Sequence, residues 1–404
     1  MKVVQINAVY DKGSTGRIIK EMHHALIECG HESHVFTADY RQNEDNVYRI
    51  GNRIDWKIHG LLSRVFGLQG YFSHLATMRL VKSLKSISPD VVHLHNTHAN
   101  YLNLKMLIKY LDANNIATVI TLHDCWYFTG KCMHYTAEGC YRWKDSCGNC
   151  PKLHTDNHSW LFDRTEKMLS DKRKLFSSIA KLGVIGVSDW ITAEAKQSFL
   201  AGAAIVKRIY NWIDLEAFTP CKADIHKKYN LPANKSLILC IGAGWKKSTD
   251  RFNDMIRLAE ILPEHIHIVL AGHLQENVVL PSNITSIGYV DKIEDLAQLY
   301  SSVAVYVHMS REDTFGKVIA EALACGTPAV VFESTACPEI VGNGCGYVVP
   351  TGDIESMCNA ICNVVKNGKD SYCSSCIAHA KENFEKEKLI HQTIKLYKEL
   401  LEQR

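Results

Sequence analysis

Two patterns of apolar residues alternate along the chain. Unbroken apolar runs, many of them β-branched, recur in the first half as KVVQINAVY, ESHVFTA, DVVHLHN, IATVITLHD and LGVIGVS. The second half repeats the theme as SLILCIGAG, HIHIVLAG, NITSIGYV, VAVYVHMS and TPAVVFES. Between these runs the apolar positions follow helical spacing, as in residues 17–29 and 103–113. Strands that are apolar throughout, separated by helices, predict parallel sheets covered on both faces. Two such series predict an α/β protein with two doubly wound domains. The pattern lapses at IYNWIDLEAFTPC, residues 209–221. The expected division is therefore 1–208, 209–384 and a final charged helix, 385–404. That helix carries an Ile/Leu/Tyr stripe and is expected to pack back towards the first domain.

Length supports the division, because 404 residues exceed the size at which one core stops growing. With 46% apolar and 22% charged residues the chain reads as an ordinary soluble protein, and a formal charge of +3 is too small to argue for nucleic acid. No apolar stretch approaches the length of a membrane span, and MKVVQINAVY reads as a first strand, not a signal peptide. A cytoplasmic protein is expected. Fifteen cysteines then point to reduced thiols or a metal site more than to a disulfide framework.

The most distinctive chemistry lies in REDTFGKVIAEALACGTP, residues 311–328. An apolar strand precedes it, and Gly316–Ala324 reads as a helix closed by Gly326 and Pro328. Glu312, Asp313 and Glu321 thus sit at a strand-to-helix crossing, where ligands bind in open α/β sheets. Asp313 or Thr314 is equally readable as a helix cap. Lys317 and Glu321 form an i,i+4 pair in the weaker orientation, so pairing explains Glu321 less well. Each domain also opens its first crossing with small residues, GSTGR at 13–17 and GAGWKKS at 242–248. Backbone amides at such helix starts can approach a phosphate, and together the loops suggest two walls of one cleft.

These residues resemble glycosyltransferase family 4, whose members are retaining enzymes of the GT-B fold, two Rossmann-like domains facing across a cleft. The resemblance covers nearly the whole chain: STGR, DVVHLHN and TLHD in the first half, then YNWIDLEAFTP, LAGHLQ and the run from IGYVDK to GTPAVV. It implies an acceptor-binding first domain and a nucleotide-sugar-binding second domain. The donor would be a UDP- or GDP-linked hexose, the acceptor a saccharide or lipid-linked saccharide, and the setting surface polysaccharide assembly. By the same resemblance Glu321 binds ribose and Asp313 addresses the sugar, with backbone contacts from Gly16, Phe315, Gly316 and Lys317. Lys247 meets the leaving diphosphate, helped by Lys246, and His123 lies near the transferred sugar, while His93, His95 and His98 are structural or line the cleft. Catalysis is expected to need no cofactor or divalent metal. The chain departs from the family pattern in having Asp313 where Glu is usual, with Glu312 beside it, and in lacking the diphosphate-site Arg. A sugar-nucleotide epimerase or hydrolase and a non-catalytic carbohydrate-binding relative are the alternatives.

One segment has no counterpart in that pattern, and a second stands out by composition. Residues 125–151 hold Cys125, Cys132, Cys140, Cys147 and Cys150. The last four read as a structural zinc site, with free thiols and disulfides as the other readings. Residues 53–85 carry Arg53, Lys57, Arg64, Arg79, Lys82 and Lys85 against Asp55 alone, interleaved with apolar and aromatic side chains. They read either as a core helix with a solvated face or as a contact with an anionic membrane, at the inner face of the plasma membrane.

Overall fold

The computed structural model describes residues 1–39 and 44–403. The chain divides into two compact units. Met1–Ile209 with the residues from Lys388 onward form the first, and Tyr210–Glu387 form the second.

In the first unit seven parallel strands form one sheet: β1 (Lys2–Val9), β2 (Glu32–Asp39), β3 (Val47–Arg49), β4 (Val91–Leu94), β5 (Ala117–Leu122), β6 (Leu182–Gly186) and β7 (Ile205–Arg208). Their spatial order is β3-β2-β1-β4-β5-β6-β7. Every residue of β4 and β5 is buried, as an apolar strand sandwiched between two helical layers must be. Val3, Val4, Ile6, Val119, Ile120 and Val184 form its core. Each such side chain contributes about 1.5–3 kcal/mol on burial. The last helix, Lys386–Glu402, serves this unit: the Leu396 and Leu400 side chains pack over Gly183 of β6, and Tyr397 is fully buried.

The second unit holds a six-stranded parallel sheet of β8 (Ser236–Trp245), β9 (Ile266–Leu274), β10 (Ile284–Gly288), β11 (Val305–His308), β12 (Ala329–Phe332) and β13 (Gly346–Val349), in the order β10-β9-β8-β11-β12-β13. Ile238, Cys240, Ile268, Leu270, Val305, Val307 and Val330 meet Phe252, Met255, Met357 and Ile361 from the covering helices. At the far ends of β8 and β9 the backbones nearly touch. A Cβ on Gly272, at φ +130°, would lie 1.9 Å from the Gly242 carbonyl oxygen, so only glycine fits there.

Both sheets therefore follow the doubly wound order, in which the direction of winding reverses beside the first strand. That reversal opens a crevice at the carboxyl ends of β1 and β4 in one unit and of β8 and β11 in the other.

Candidate functional site

In the second unit the crevice is lined from β11 onward by the segment that carries the acids. Asp313 is anchored at both levels. Thr335 Oγ1 accepts its N–H at 2.9 Å and donates to its carbonyl at 2.7 Å. Its Oδ1 accepts the N–H groups of Phe315 at 3.2 Å and Gly316 at 2.8 Å. Oδ2 lies 3.4 Å from His308 Nε2, and 31% of the side chain stays exposed. Burial pushes the carboxyl pKa up, but His308 and the two amides outweigh it and hold the group below its usual range. Asp313 is thus an ionised, fixed acid that also braces the entry to the helix Lys317–Ala324. Phe315 is buried between Tyr210 and Phe384, with ring centroids 5.8 and 5.5 Å away. Lys317 opens the helix, where the first amides have no partner within it. On the next turn Glu321 is buried and accepts a hydrogen bond from the Tyr300 hydroxyl at 3.2 Å.

At the end of β8 stand the two candidate cations read from the sequence. Lys246 and Lys247 are exposed. Lys247 borders a surface hollow with Phe252, Asn253, Ile256 and Arg257, and its N–H is held by Gln275 Oε1 at 3.1 Å. Arg251, one residue into the helix Asp250–Ile261, turns back under the loop instead. Its Nη2 donates to the Gly244 carbonyl at 2.7 Å, and its guanidinium stacks 4.6 Å from the Trp245 ring centroid. A Cβ on Gly242 would fall 2.8 Å from that guanidinium, so glycine there is what lets the arginine lie flat. Burial lowers its pKa, while Tyr306, Cys240 and Asp313 act in the opposite direction; an arginine stays charged regardless. Arg251 shares its surroundings with Asp313, although the local sequence offers no arginine at the family's position. Arg311 is occupied elsewhere, 2.8 Å from Asp254 and 3.2 Å from Asp250.

The first unit presents its own set at the ends of β1, β4 and β5. Gly16 sits in the first turn of the helix Gly13–Glu28, its carbonyl accepting the Asp11 N–H at 3.0 Å. His123, just beyond β5, is 3.0 Å from His95 Nδ1 through its Nε2, and the two rings stack at 5.3 Å. His95 in turn lies 4.0 Å from His93, which is held by Thr121 Oγ1 at 2.7 Å and the Tyr397 hydroxyl at 2.6 Å. Burial drives all three down, His123 to about 4 and His93 to about 3, so the ladder is neutral at pH 7. Next to it His98 Nε2 pairs with Asp124 Oδ2 at 2.8 Å, while Asp124 Oδ1 takes the Trp126 N–H. Sequence reasoning missed Asp124. Its place in TLHD, directly after His123, was the available signal.

Beyond that point Thr129, Lys131, Cys132, Tyr135, Cys140, Trp143, Cys147 and Cys150 border one small cavity. The four cysteines chosen from spacing thus come together around a single space. The thiols of Cys132 and Cys150 are hydrogen-bonded to each other, and the N–H groups of Gly130 and Lys152 reach the Cys147 and Cys150 sulfurs. All cysteines are free thiols. Among the described residues no three His, Cys, Asp or Glu side chains already stand as a metal-holding group.

A GT-B fold is what two doubly wound units of this kind describe. Residues 15–217 match the family model Glycosyltransferase Family 4, and residues 235–367 match Glycosyl transferases group 1. The chain belongs to glycosyltransferase family 4. Among curated proteins it is 24% identical over 88% of both chains to WcaC of Escherichia coli K12, named as a colanic acid biosynthesis glycosyl transferase. It is 26% identical, over 56% of this chain and 71% of the other, to the lipopolysaccharide core biosynthesis mannosyltransferase LpcC of Rhizobium leguminosarum. Among solved structures, the sucrose-phosphate synthase of Thermosynechococcus elongatus superposes with a TM-score of 0.71 at 17% identity, covering 99% of this chain and 98% of that one. Anabaena HepE in complex with UDP gives 0.68 at 17% identity, covering 99% and 100%. These likenesses show the GT-B fold.

Proposed function

We propose that the protein is a retaining glycosyltransferase that moves a hexose from a nucleoside diphosphate sugar to a saccharide or lipid-linked saccharide acceptor in surface polysaccharide assembly. The observation that carries this reading is a fixed acid, Asp313, whose Oδ1 is held by the amides of Phe315 and Gly316 while its side chain stays partly exposed, with the half-buried cation Arg251 folded under the neighbouring loop of the same unit. The second unit is the donor-binding domain and the first the acceptor-binding domain. Glu321 takes the ribose hydroxyls. Asp313, held by the amides of Phe315 and Gly316, addresses the sugar. The open amides at Lys317, with Arg251 and then Lys247, take the diphosphate.

The reaction breaks the bond from the anomeric carbon to the diphosphate oxygen, passing through an oxocarbenium-like state. The electron pair leaves with the diphosphate, where fixed cations and helix-end amides stabilise the growing charge. The acceptor hydroxyl attacks from the face the diphosphate vacates and gives its proton to a leaving phosphate oxygen. Two protein cations supply charge that a divalent ion would otherwise provide. His123, neutral, lies on the acceptor-domain side as a hydrogen-bonding group for the sugar, and the Gly16 turn offers backbone amides to the phosphate end. HepE, crystallised with UDP and with UDP-glucose, supports a nucleotide sugar as donor. LpcC and a GDP-mannose-dependent mannosyltransferase of Mycobacterium tuberculosis support a mannosyl donor. The four-cysteine cavity we assign to structural zinc, supported by the convergence of Cys132, Cys140, Cys147 and Cys150 and by the N–H groups aimed at two of the sulfurs.

Thermal unfolding with UDP and with GDP tests the donor site, since a ligand of the native state raises apparent stability. One nucleotide should raise the midpoint for the native chain and for Lys246→Ala, and the rise should be lost in Arg251→Ala and Glu321→Gln. A shift that survives both substitutions refutes the assignment.

A further inference from the structure

The helix Arg53–Phe66 half-buries Trp56, Leu62 and Val65 but leaves a second apolar stripe in solvent. It buries His59 and Ser63, while Ile54 is 68% exposed, Ile58 52%, Leu61 50% and Phe66 44%. An amphipathic helix on a globular unit turns its aliphatic residues inward; this one also turns His59 to Ser73 Oγ at 2.7 Å and offers the second stripe to solvent. The stripe does not end with the helix. Trp160 donates its N–H to the Arg64 carbonyl at 2.7 Å, and the Arg64 guanidinium lies 6.0 Å from the Trp160 ring. The Phe162 carbonyl packs on Gly67 at the helix end. Trp160, Leu161 and Phe162 are 50%, 67% and 42% exposed. The next helix, His74–Ile87, continues the theme with exposed Leu75 and Met78.

Along the two helices charge runs with one sign, and Asp163, next to Phe162, has its carboxylate engaged by the N–H groups of Cys150 and Thr165. Arg53, Lys57, Arg64, Arg79, Lys82 and Lys85 are exposed on the two helices, and Arg164 stands beside Phe162, 5.3 Å from its ring. The acid of this stretch, Asp55, is spent on capping, its carboxylate accepting the Asn52 N–H at 2.9 Å. A protein partner or a second copy needs a shaped apolar face with a mixed polar rim. Flexible aliphatic and indole side chains fringed by uncompensated lysine and arginine instead suit a surface that is apolar beneath and anionic on top.

We propose that this face, made by Arg53–Phe66, the first turns of His74–Ile87 and the Trp160–Phe162 loop, is an interfacial docking surface for anionic phospholipid bilayers. Ile54, Ile58, Leu61 and Leu161 enter the acyl boundary, Trp160 sits at headgroup level, and the basic residues meet lipid phosphates. No helix among the described residues is long and apolar enough to cross a membrane, so the attachment is lateral and reversible. The inference is independent of which sugar is transferred. If the acceptor is lipid-linked, the same face brings the acceptor-binding unit to it.

The test is co-sedimentation of the full chain with vesicles of phosphatidylcholine alone and with added phosphatidylglycerol, at low and high salt. Binding should need phosphatidylglycerol and fall with salt. It should weaken about tenfold or more in Ile58→Asp/Leu161→Asp and about fivefold per charge removed in Lys57→Gln and Lys82→Gln. Each variant should keep the thermal midpoint and nucleotide response of the native chain, which separates this outcome from failure of the donor-site reading. Equal binding to both vesicle types, or no binding by a folded native chain, overturns the proposal. So does a dimer in size-exclusion chromatography that Ile58→Asp/Leu161→Asp dissociates, because the face would then belong to a second copy.

Discussion

Acidification should strip stability from the first unit, and the buried histidines set the window. His59 and His93 are held down to about 3 and His123 to about 4, with His95 also well below its ordinary value; burial is the leading cause in each. In the unfolded chain each would take a proton near its ordinary pKa of about 6.5. Below that value the unfolded state binds protons the folded state refuses, so stability falls as pH falls. The loss continues until the folded pKa values are reached. By pH 5 each histidine has crossed about 1.5 units at about 1.36 kcal/mol per unit, or roughly 2 kcal/mol apiece. Four histidines give a ceiling of roughly 8 kcal/mol, comparable with the stability of a whole domain. Urea unfolding followed by tryptophan fluorescence reads this well, since five of the seven tryptophans lie before residue 209. Its midpoint should drop steeply between about pH 7 and about pH 5. His93→Gln, which keeps a partner for Thr121 and Tyr397, should flatten the slope by about one proton. Equal midpoints at the two pH values, or a slope unchanged in His93→Gln, would show that these groups titrate freely and refute the neutral ladder.

Two further outcomes follow from packing and from thiol chemistry. Gly272→Ala would drive a Cβ to 1.9 Å from the Gly242 carbonyl and should cost about 3 kcal/mol or more in unfolding free energy; a midpoint within a degree or two of the native chain would refute the close approach. Purified protein should release about one zinc per chain on mercurial titration, and Cys147→Ser should lower both that yield and the thermal midpoint. A metal-free preparation with four titratable thiols and an unaltered midpoint in Cys147→Ser would dismiss the zinc assignment.

Strand after strand was legible because a buried parallel strand writes itself as an unbroken apolar run. All ten runs read from the pattern are strands, from KVVQINAVY to TPAVVFES. The three that escaped, Val47–Arg49, Ile205–Arg208 and Gly346–Val349, are edge strands of three or four residues with mixed side chains. One face in water and half the usual length leave no periodic signature. The acids at 313 and 321 were legible for a related reason, since a strand-to-helix crossing advertises itself. That Asp313 holds the loop before the helix with one oxygen and turns the other to His308 was not, because a sequence does not say which way the two oxygens of one carboxylate point. Arg251 was invisible for a geometric reason. It belongs to a helix downstream of the loop it underlies, and nothing in GAGWKKSTDRF says that the side chain folds backwards. The helix at 53–66 illustrates the opposite hazard: its composition was plain, but composition alone does not say which face is wet.

Residues 388 onward reach the first unit only after the whole of the second has been made. Tyr397 then bonds His93, and Leu396 and Leu400 close over Gly183. On the ribosome, the unit whose first strands are made earliest is the one completed last, with β6 uncovered and the histidine ladder short of a partner throughout synthesis of the second unit. The order of manufacture thus makes the two units depend on one reading of the chain: a chain truncated before residue 388 can hold a complete second unit and still lack a completed first one.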